Sequence, residues 1–315
     1  MTGVKESAPG VPPLPRARHR FGAHLSIAGG LHHAIAAALE LRFDTVQVFV
    51  KNQRQWRAAP LAGDDVEQWH TLRATAGFGP IVAHATYLIN LAAADRTLYA
   101  RSREAFAQEL RRCQLLAIPY LVVHPGAAGM APPEQAVVRV SRALNRIFER
   151  DPDLTTMPLL ETTAGQGTGL GRSFEQLGAI IRGVEEPRRV GICIDTCHVF
   201  AAGYDIRRAD GYDSMIDAAA QHVGLERVRC WHFNDSKGDC GSHLDRHEHI
   251  GQGKLGTAGF RNVLGDPRFA GVPMLLETPK GTDAAGRDFD QINVRRLRTI
   301  AARALQSARR LECDV

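Results

Sequence analysis

The 315-residue sequence has no run of the roughly 18 apolar residues needed to cross a bilayer, so no membrane association is expected. Its six cysteines (Cys113, Cys193, Cys197, Cys230, Cys240 and Cys313) form no CxxC pair and no framework spacing. Several lie in apolar runs, where a buried reduced thiol is expected, and this points to a reducing compartment. The opening stretch MTGVKESAPGVPPLPRARHR lacks an apolar h-region, so no secretory signal is expected and the location is read as cytoplasmic. A strong charge excess is also missing. The net charge of +5 permits a polyanionic partner without requiring one. Past residue 19 there is no low-complexity block, internal repeat or linker. Residues 1–19, rich in Pro and basic side chains, read as a disordered tail, and residues 20–315 as one domain.

Hydrophobic residues make up 44% of the chain, enough for a sizeable core. They recur in eight short β-like runs: Phe21–Ser26, Thr45–Val50, Ile81–Ala85, Tyr120–His124, Met157–Glu161, Gly191–Asp195, Val228–Phe233 and Pro273–Glu277. Helical spacing separates them, as in Leu31, Ile35 and Leu39, or Phe106, Leu110 and Cys113. Ser173 and Gln176 have the spacing of a capping box. Eight such units at this length predict a single α/β (β/α)8 TIM barrel with its site at the C-terminal face of the strands. A doubly wound open sheet is the alternative.

Six of the runs end on, or within two residues of, a side chain that can bind metal: His84, His124, Glu161, Asp195, His232 and Glu277. In a barrel those ends share one mouth. Carboxylates gathered there repel one another, and burial of each costs several kcal/mol unless it is paired or metal-bound. His198 just past the sixth run, and Asp245 and His247 in HLDRHEH, extend the set to five His and four carboxylates. Oxygen and nitrogen donors suit zinc, manganese or iron, and nine ligands imply about three ions. His24 is read as a support residue only. His243 and His249 match by spacing alone.

The segments GAHLSIAGGL, VFVKNQRQWRAAPL, HATYLINLA, HPGA, ETTAGQGTGLG, CIDTCHVFAAGYD, HFNDSK and LDRHEHIGQGKLG, in that order, are similar to the endonuclease IV family of apurinic/apyrimidinic endonucleases. The likeness runs from Phe21 to Pro279. It implies a monomeric three-zinc TIM barrel, with manganese possible at some positions. Such an enzyme cuts double-stranded DNA 5′ to abasic sites, leaving a 3′-hydroxyl and a 5′-deoxyribose phosphate. It also removes 3′-blocking groups in base-excision repair.

The resemblance implies one zinc on His84, His124 and Glu161, a second on Glu161, Asp195, His232 and Glu277, and a third on His198, Asp245 and His247. Glu161 and Glu277 are the carboxylates expected to serve catalysis. The loop Lys51–Arg57 puts three cations and Trp56 at the mouth, where Arg54 and Trp56 are expected to meet DNA. Tyr87 and Leu88 resemble the family's residues that enter the base stack at the lesion, and Asn234, Asp235 and Lys237 are read as supports behind the candidate ligands or as phosphate contacts, Lys237 being the one expected to meet DNA. The chain departs from the usual pattern at Ala85, Thr162 and His243, the last in place of an arginine. Two other functions stay open: a xylose-isomerase-like sugar isomerase or epimerase, and a lesion-binding protein with a structural metal.

Overall fold

The computed structural model describes residues 19–77 and 79–313. The tail expected over residues 1–19 lies outside them except for His19, whose Nε2 donates to the Leu264 carbonyl at 2.9 Å. The strands are β1 (Arg20–Ala23), β2 (Gln47–Val48), β3 (Val82–His84), β4 (Tyr120–Val123), β5 (Met157–Glu161), β6 (Gly191–Asp195), β7 (Val228–His232), β8 (Asp235–Ser236), β9 (His247–Glu248) and β10 (Pro273–Leu276). The helices are α1 (His32–Glu40), α2 (Gly63–Ala76), α3 (Arg96–Leu115), α4 (Pro133–Arg150), α5 (Phe174–Arg182), α6 (Thr196–Ala202), α7 (Ala209–His222), α8 (Gly256–Gly265) and α9 (Phe289–Cys313). Among the described residues no helix is long and apolar enough to cross a membrane.

Eight strands form one parallel sheet in the order β1-β10-β7-β6-β5-β4-β3-β2. Its two ends meet: Leu25 N–H donates to the Gln47 carbonyl at 2.9 Å, Asp44 N–H to the Phe21 carbonyl at 2.7 Å, and His24 and Gln47 form a parallel bridge. The sheet is therefore a TIM barrel and the open-sheet alternative falls. β2 is shorter than its run TVQVFV, because pairing stops where the chain turns out into the loop after Phe49. β8 and β9 form a separate antiparallel pair above the barrel, with Ser236 opposite His247. HLDRHEH is thus partly a hairpin strand.

Side chains on a strand alternate between barrel interior and helix layer. Val82, Val122, Leu159, Cys193, Cys230 and Leu275 point inward and pack on one another as a buried cluster of their own. The larger core lies outside the strands, where residues such as Ile192, Ile194, Trp231 and Leu276 meet the helices. Two positions beyond each inward residue, on the same face, stand His84, His124, Glu161, Asp195, His232 and Glu277. An apolar floor therefore fixes the direction of six ionisable side chains. A slip of one residue in any strand would aim its ionisable group into the helix layer.

Helix starts follow their caps. Asp95 accepts from Leu98 N–H at 2.7 Å at the head of α3. Ser173 accepts from Gln176 N–H at 3.4 Å, but the Gln176 side chain reaches past Ser173 to the Gly171 N–H at 3.0 Å, so half of the expected capping box forms. α9 completes the outer ring against β1, β10 and α8, as its apolar positions Val294, Leu297 and Ile300 lead one to expect.

Closure of the ring demands a close approach of β1 to the start of β2. A Cβ added at Gly22 would sit 2.0 Å from the Thr45 backbone oxygen. Gly22→Ala should therefore lower unfolding free energy by about 3 kcal/mol, the upper end of the usual overpacking cost, because the clash is with backbone that cannot rotate away. Chemical denaturation would check this, and an unchanged midpoint would contradict the close approach.

Candidate metal centre

The barrel mouth is ringed by one polar layer: His24, Gln47, His84, His124, Glu161, Asp195, His232 and Glu277, in strand order. Three groups within and just above it bring donor atoms within 4.8 Å of one another: His84, His124 and Glu161; Glu161, Asp195, His232 and Glu277; and His198, Asp245 and His247. Glu161 belongs to two of them. Its Oε2 lies 3.2 Å from His84 Nε2 and 3.0 Å from His124 Nε2, while Oε1 lies 2.8 Å from His232 Nδ1. Glu277 Oε2 is 3.3 Å from the same His232 nitrogen.

The third group depends on a helix start. Asp195 ends β6 and caps α6, its Oδ1 accepting from His198 N–H at 2.9 Å. That cap turns His198 into the mouth one helical turn later. Asp245, just before β9, and His247, within it, reach the site from above. The Asp245 Oδ1 lies 3.2 Å from His198 Nε2 and 3.3 Å from His247 Nε2. Neither approach has hydrogen-bond geometry, and both Nε2 atoms are buried without a hydrogen-bond partner.

The outer ring nitrogens are tied. His84 Nδ1 donates to the Ala85 carbonyl at 2.7 Å, His198 Nδ1 to the Thr162 carbonyl at 2.8 Å, and His247 Nδ1 to the Glu277 carbonyl at 3.2 Å. His232 Nε2 donates to Gln47 Oε1 at 2.8 Å. Each bond fixes a tautomer and turns the other nitrogen of that ring toward the carboxylates. This is the arrangement that outer partners impose on metal-binding imidazoles.

Charges agree with the geometry. Burial opposes ionisation of Glu161, yet His232 and His124 outweigh it and hold the carboxyl well below the usual range. Glu277 behaves likewise: burial is overcome by His232 and by His24, whose Nδ1 lies 3.5 Å from Oε1. In return burial would lower His198 and His232, but Asp195 and Asp245 raise the first and Glu277 and Glu161 the second, well above an ordinary imidazole. His247, disfavoured by burial but facing Asp195 and Asp245, is raised to about 8. The carboxylates thus draw positive charge onto the inward nitrogens. A cation would replace those protons. Nine oxygen and nitrogen donors, two of them buried and unsatisfied, fit bound divalent metal.

Two residues beyond those nine hold the set in place. Gln47 donates through Nε2 to Glu277 Oε1 at 2.6 Å while accepting from His232, and so joins the two across the barrel. Sequence reasoning missed it, although a lone amide on the inward face of TVQVFV was a visible signal. Asn234 donates to Asp195 Oδ2 at 2.6 Å and accepts from Glu277 N–H at 2.8 Å, so it braces these two candidate ligands, the supporting role of the two read for it. Asp235 is buried, its carboxylate accepting from the N–H groups of Gly251, Gly253, Leu255 and Gly256 at 2.8–3.2 Å. It shapes the IGQGKLG loop, which is the supporting role, and not the phosphate contact, of the two alternatives read from the sequence.

The unusual residues have local roles. Thr162 Oγ1 accepts from Asp195 N–H at 2.9 Å. Ala85 serves His84 through its carbonyl, which any residue would supply. His243 adopts a left-handed φ of 55°, its Nδ1 donating to the Ala164 carbonyl at 2.9 Å and its N–H to that of Ala201 at 2.9 Å. It pins the loop to α6.

Around the rim, Tyr87 is 64% exposed, its ring 5.8 Å from Phe49 and 5.5 Å from His84. Leu88 beside it is half-buried, Arg54 is exposed, and Lys237 is exposed with its nearest acid, Glu248, 3.9 Å away. Trp56 is half-buried against the core with the Arg101 guanidinium 4.4 Å over its ring. Lys51 is not a rim cation: it is buried, 3.5 Å from Glu109 Oε1. Of three expected cations in the loop, Arg54 and Arg57 face solvent. Two cysteine-containing groups also gather, Cys193 and Cys230 with His232, and Cys197 with Asp195 and His247. Both nitrogens of His232 are engaged elsewhere, and burial pushes the Cys197 thiol up to about 12, so neither group rivals the nine.

A family model described as a xylose isomerase-like TIM barrel matches residues 35–304. A probable endonuclease 4 from Chloroflexus aggregans is 48% identical over 281 residues, spanning 89% of this chain and 97% of its own. The chain belongs to the endonuclease IV family. The crystal structure of endonuclease IV from Thermus thermophilus, 37% identical, superposes with a TM-score of 0.79 over 90% of this chain and 99% of that one. A D-tagatose 3-epimerase-like protein at 18% identity and a TM-score of 0.67 shares the fold alone.

Gln47→Ala should weaken metal retention by about 10- to 100-fold, the usual loss for a residue that orients ligands, because His232 and Glu277 both lose their tether. Competition with a chromophoric chelator measures this, and unchanged retention would remove Gln47 from the site.

Proposed function

We propose that this chain is a zinc-dependent DNA repair endonuclease, hydrolysing the phosphodiester 5′ to abasic sites in double-stranded DNA and removing 3′-blocking groups. The observation that carries the reading is the convergence of nine ligand-type side chains in three groups joined at Glu161. The proposed holders are His84, His124 and Glu161 for one ion, Glu161, Asp195, His232 and Glu277 for a second, and His198, Asp245 and His247 for a third. Four carboxylates with neutral imidazoles carry a charge of −4 (Glu161, Asp195, Asp245, Glu277), so three divalent ions would leave +2, a sign suited to a phosphodiester. Zinc fits a donor set of nitrogen and oxygen, with manganese able to occupy oxygen-rich positions. When bound, such ions lower the pKa of water toward about 7 and neutralise charge on phosphate and leaving oxygen.

The chain's own part is placement. Glu277 is held by Gln47, which donates to its Oε1, and by the Asn234 side chain, which accepts from its N–H, while Glu161 is flanked by His84, His124 and His232. The apolar floor formed by Val82, Leu159 and their neighbours keeps water out from beneath and strengthens every charge above it. At the rim, exposed Tyr87 with Leu88 would fill the gap left by a displaced nucleotide, and Arg54 and Lys237 would meet phosphates. Trp56, stacked under Arg101, supports the loop that carries Arg54. We further propose that residues 20–315 act as one catalytic domain, in a monomeric cytoplasmic protein.

A duplex with a single tetrahydrofuran abasic analogue tests this. Incision 5′ to the analogue should proceed without added magnesium, fade after prolonged chelation and return with zinc. Glu161→Gln should reduce it on the order of 100-fold or more, since two ions lose a shared ligand. Binding without chelator-sensitive incision would sink the proposal.

A further inference from the structure

The two loops that face outward at β2 and β3 are fastened to a single helix. Glu109 on α3 is fully buried, and its carboxylate accepts from both Thr86 N–H (3.1 Å) and Thr86 Oγ1 (2.9 Å). Thr86 immediately precedes Tyr87 and Leu88. The same carboxylate lies 3.5 Å from Lys51 Nζ, which donates to the carbonyls of Gln55 and Trp56, the latter at 3.1 Å. One turn away, Arg112 brackets the loop at its ends, donating to the Val50 carbonyl at 2.7 Å and the Ala59 carbonyl at 2.8 Å. Arg101, nearer the start of α3, lies over Trp56.

A buried ion pair is weak evidence for stability, because desolvation of both charges offsets their attraction, but it fixes geometry where each partner has satisfied hydrogen bonds. Here every hydrogen bond goes to one loop or the other. We propose that Lys51 and Glu109 are positioning residues that couple the loop of residues 51–57 to residues 86–88, so that Arg54 and Tyr87 engage a lesion as one rigid surface. The proposal rests on the reading of this chain as an enzyme acting on damaged duplex DNA. Neither residue reaches the nine-ligand site. Their action is on substrate affinity, through the loops.

The test uses the full-length, metal-loaded protein. Lys51→Met combined with Glu109→Gln removes both charges and leaves no buried ion unpaired, so the double variant should fold. Its KM for the tetrahydrofuran duplex should rise about tenfold while kcat stays within roughly twofold, and Lys51→Arg should restore KM with Glu109 intact. Hydrogen exchange, measured without DNA, should speed up about tenfold in residues 52–57 and 86–88 together. Loss of kcat in step with KM would mark a generic structural defect and overturn the proposal. So would faster exchange confined to one loop, or an unchanged KM. A wild-type chain that fails to incise the duplex counts against the proposed function, and the exchange pattern alone then decides the coupling.

Discussion

Four carboxylates, Glu161 and Asp195 of them fully buried, must share one barrel mouth, and the remainder of the site follows from that constraint. Left alone they would repel and take up protons. The chain surrounds them with imidazoles whose outer nitrogens are committed to Ala85, Thr162, Gln47 and Glu277, so that each inner nitrogen can face a carboxylate or a shared cation. The raised imidazoles and lowered carboxyls are two views of one demand for positive charge. Divalent ions meet it with fewer constraints than protons do, because a single ion can serve several oxygens at once.

The barrel makes this possible through a rule of two. Inward residues at the floor are apolar, and the next inward residue on each of six strands is ionisable. The sequence therefore has to state its site twice, once as a hydrophobic run and once as the residue at its end. This is why the fold and the candidate ligands could be read together: runs such as GICID and MPLLE carry both messages in five letters. The family resemblance supplied the pairing of ligands into groups, which periodicity could not.

What stayed hidden were properties of partners distant in sequence. Lys51 looks like a phosphate-binding cation among Arg54 and Arg57 until α3 brings Glu109 beneath it. Gln47 looks like an ordinary strand residue until His232 and Glu277 arrive from the other side of the ring. Asp235, three residues past His232, could support the site or meet phosphate until four backbone N–H groups from the Gly251–Gly256 turn take up its oxygens. Each case concerned a charge or amide whose meaning depends on burial, and burial is decided by packing between elements far apart in the chain.

The polar layer is uneven around its circumference. The strands β1 to β4 contribute His24, Gln47, His84 and His124, and every carboxylate in the layer stands on the opposite arc, on β5, β6 and β10. The donor ring is consequently a horseshoe of carboxylates whose opening is lined by an amide and imidazoles. No carboxylate of the layer stands on that opening, and it is there that the loops after β2 and β3 hold Phe49, Arg54 and Tyr87. The asymmetry of the mouth is thus encoded below the surface, in which strands end in an acid and which end in an amide or imidazole.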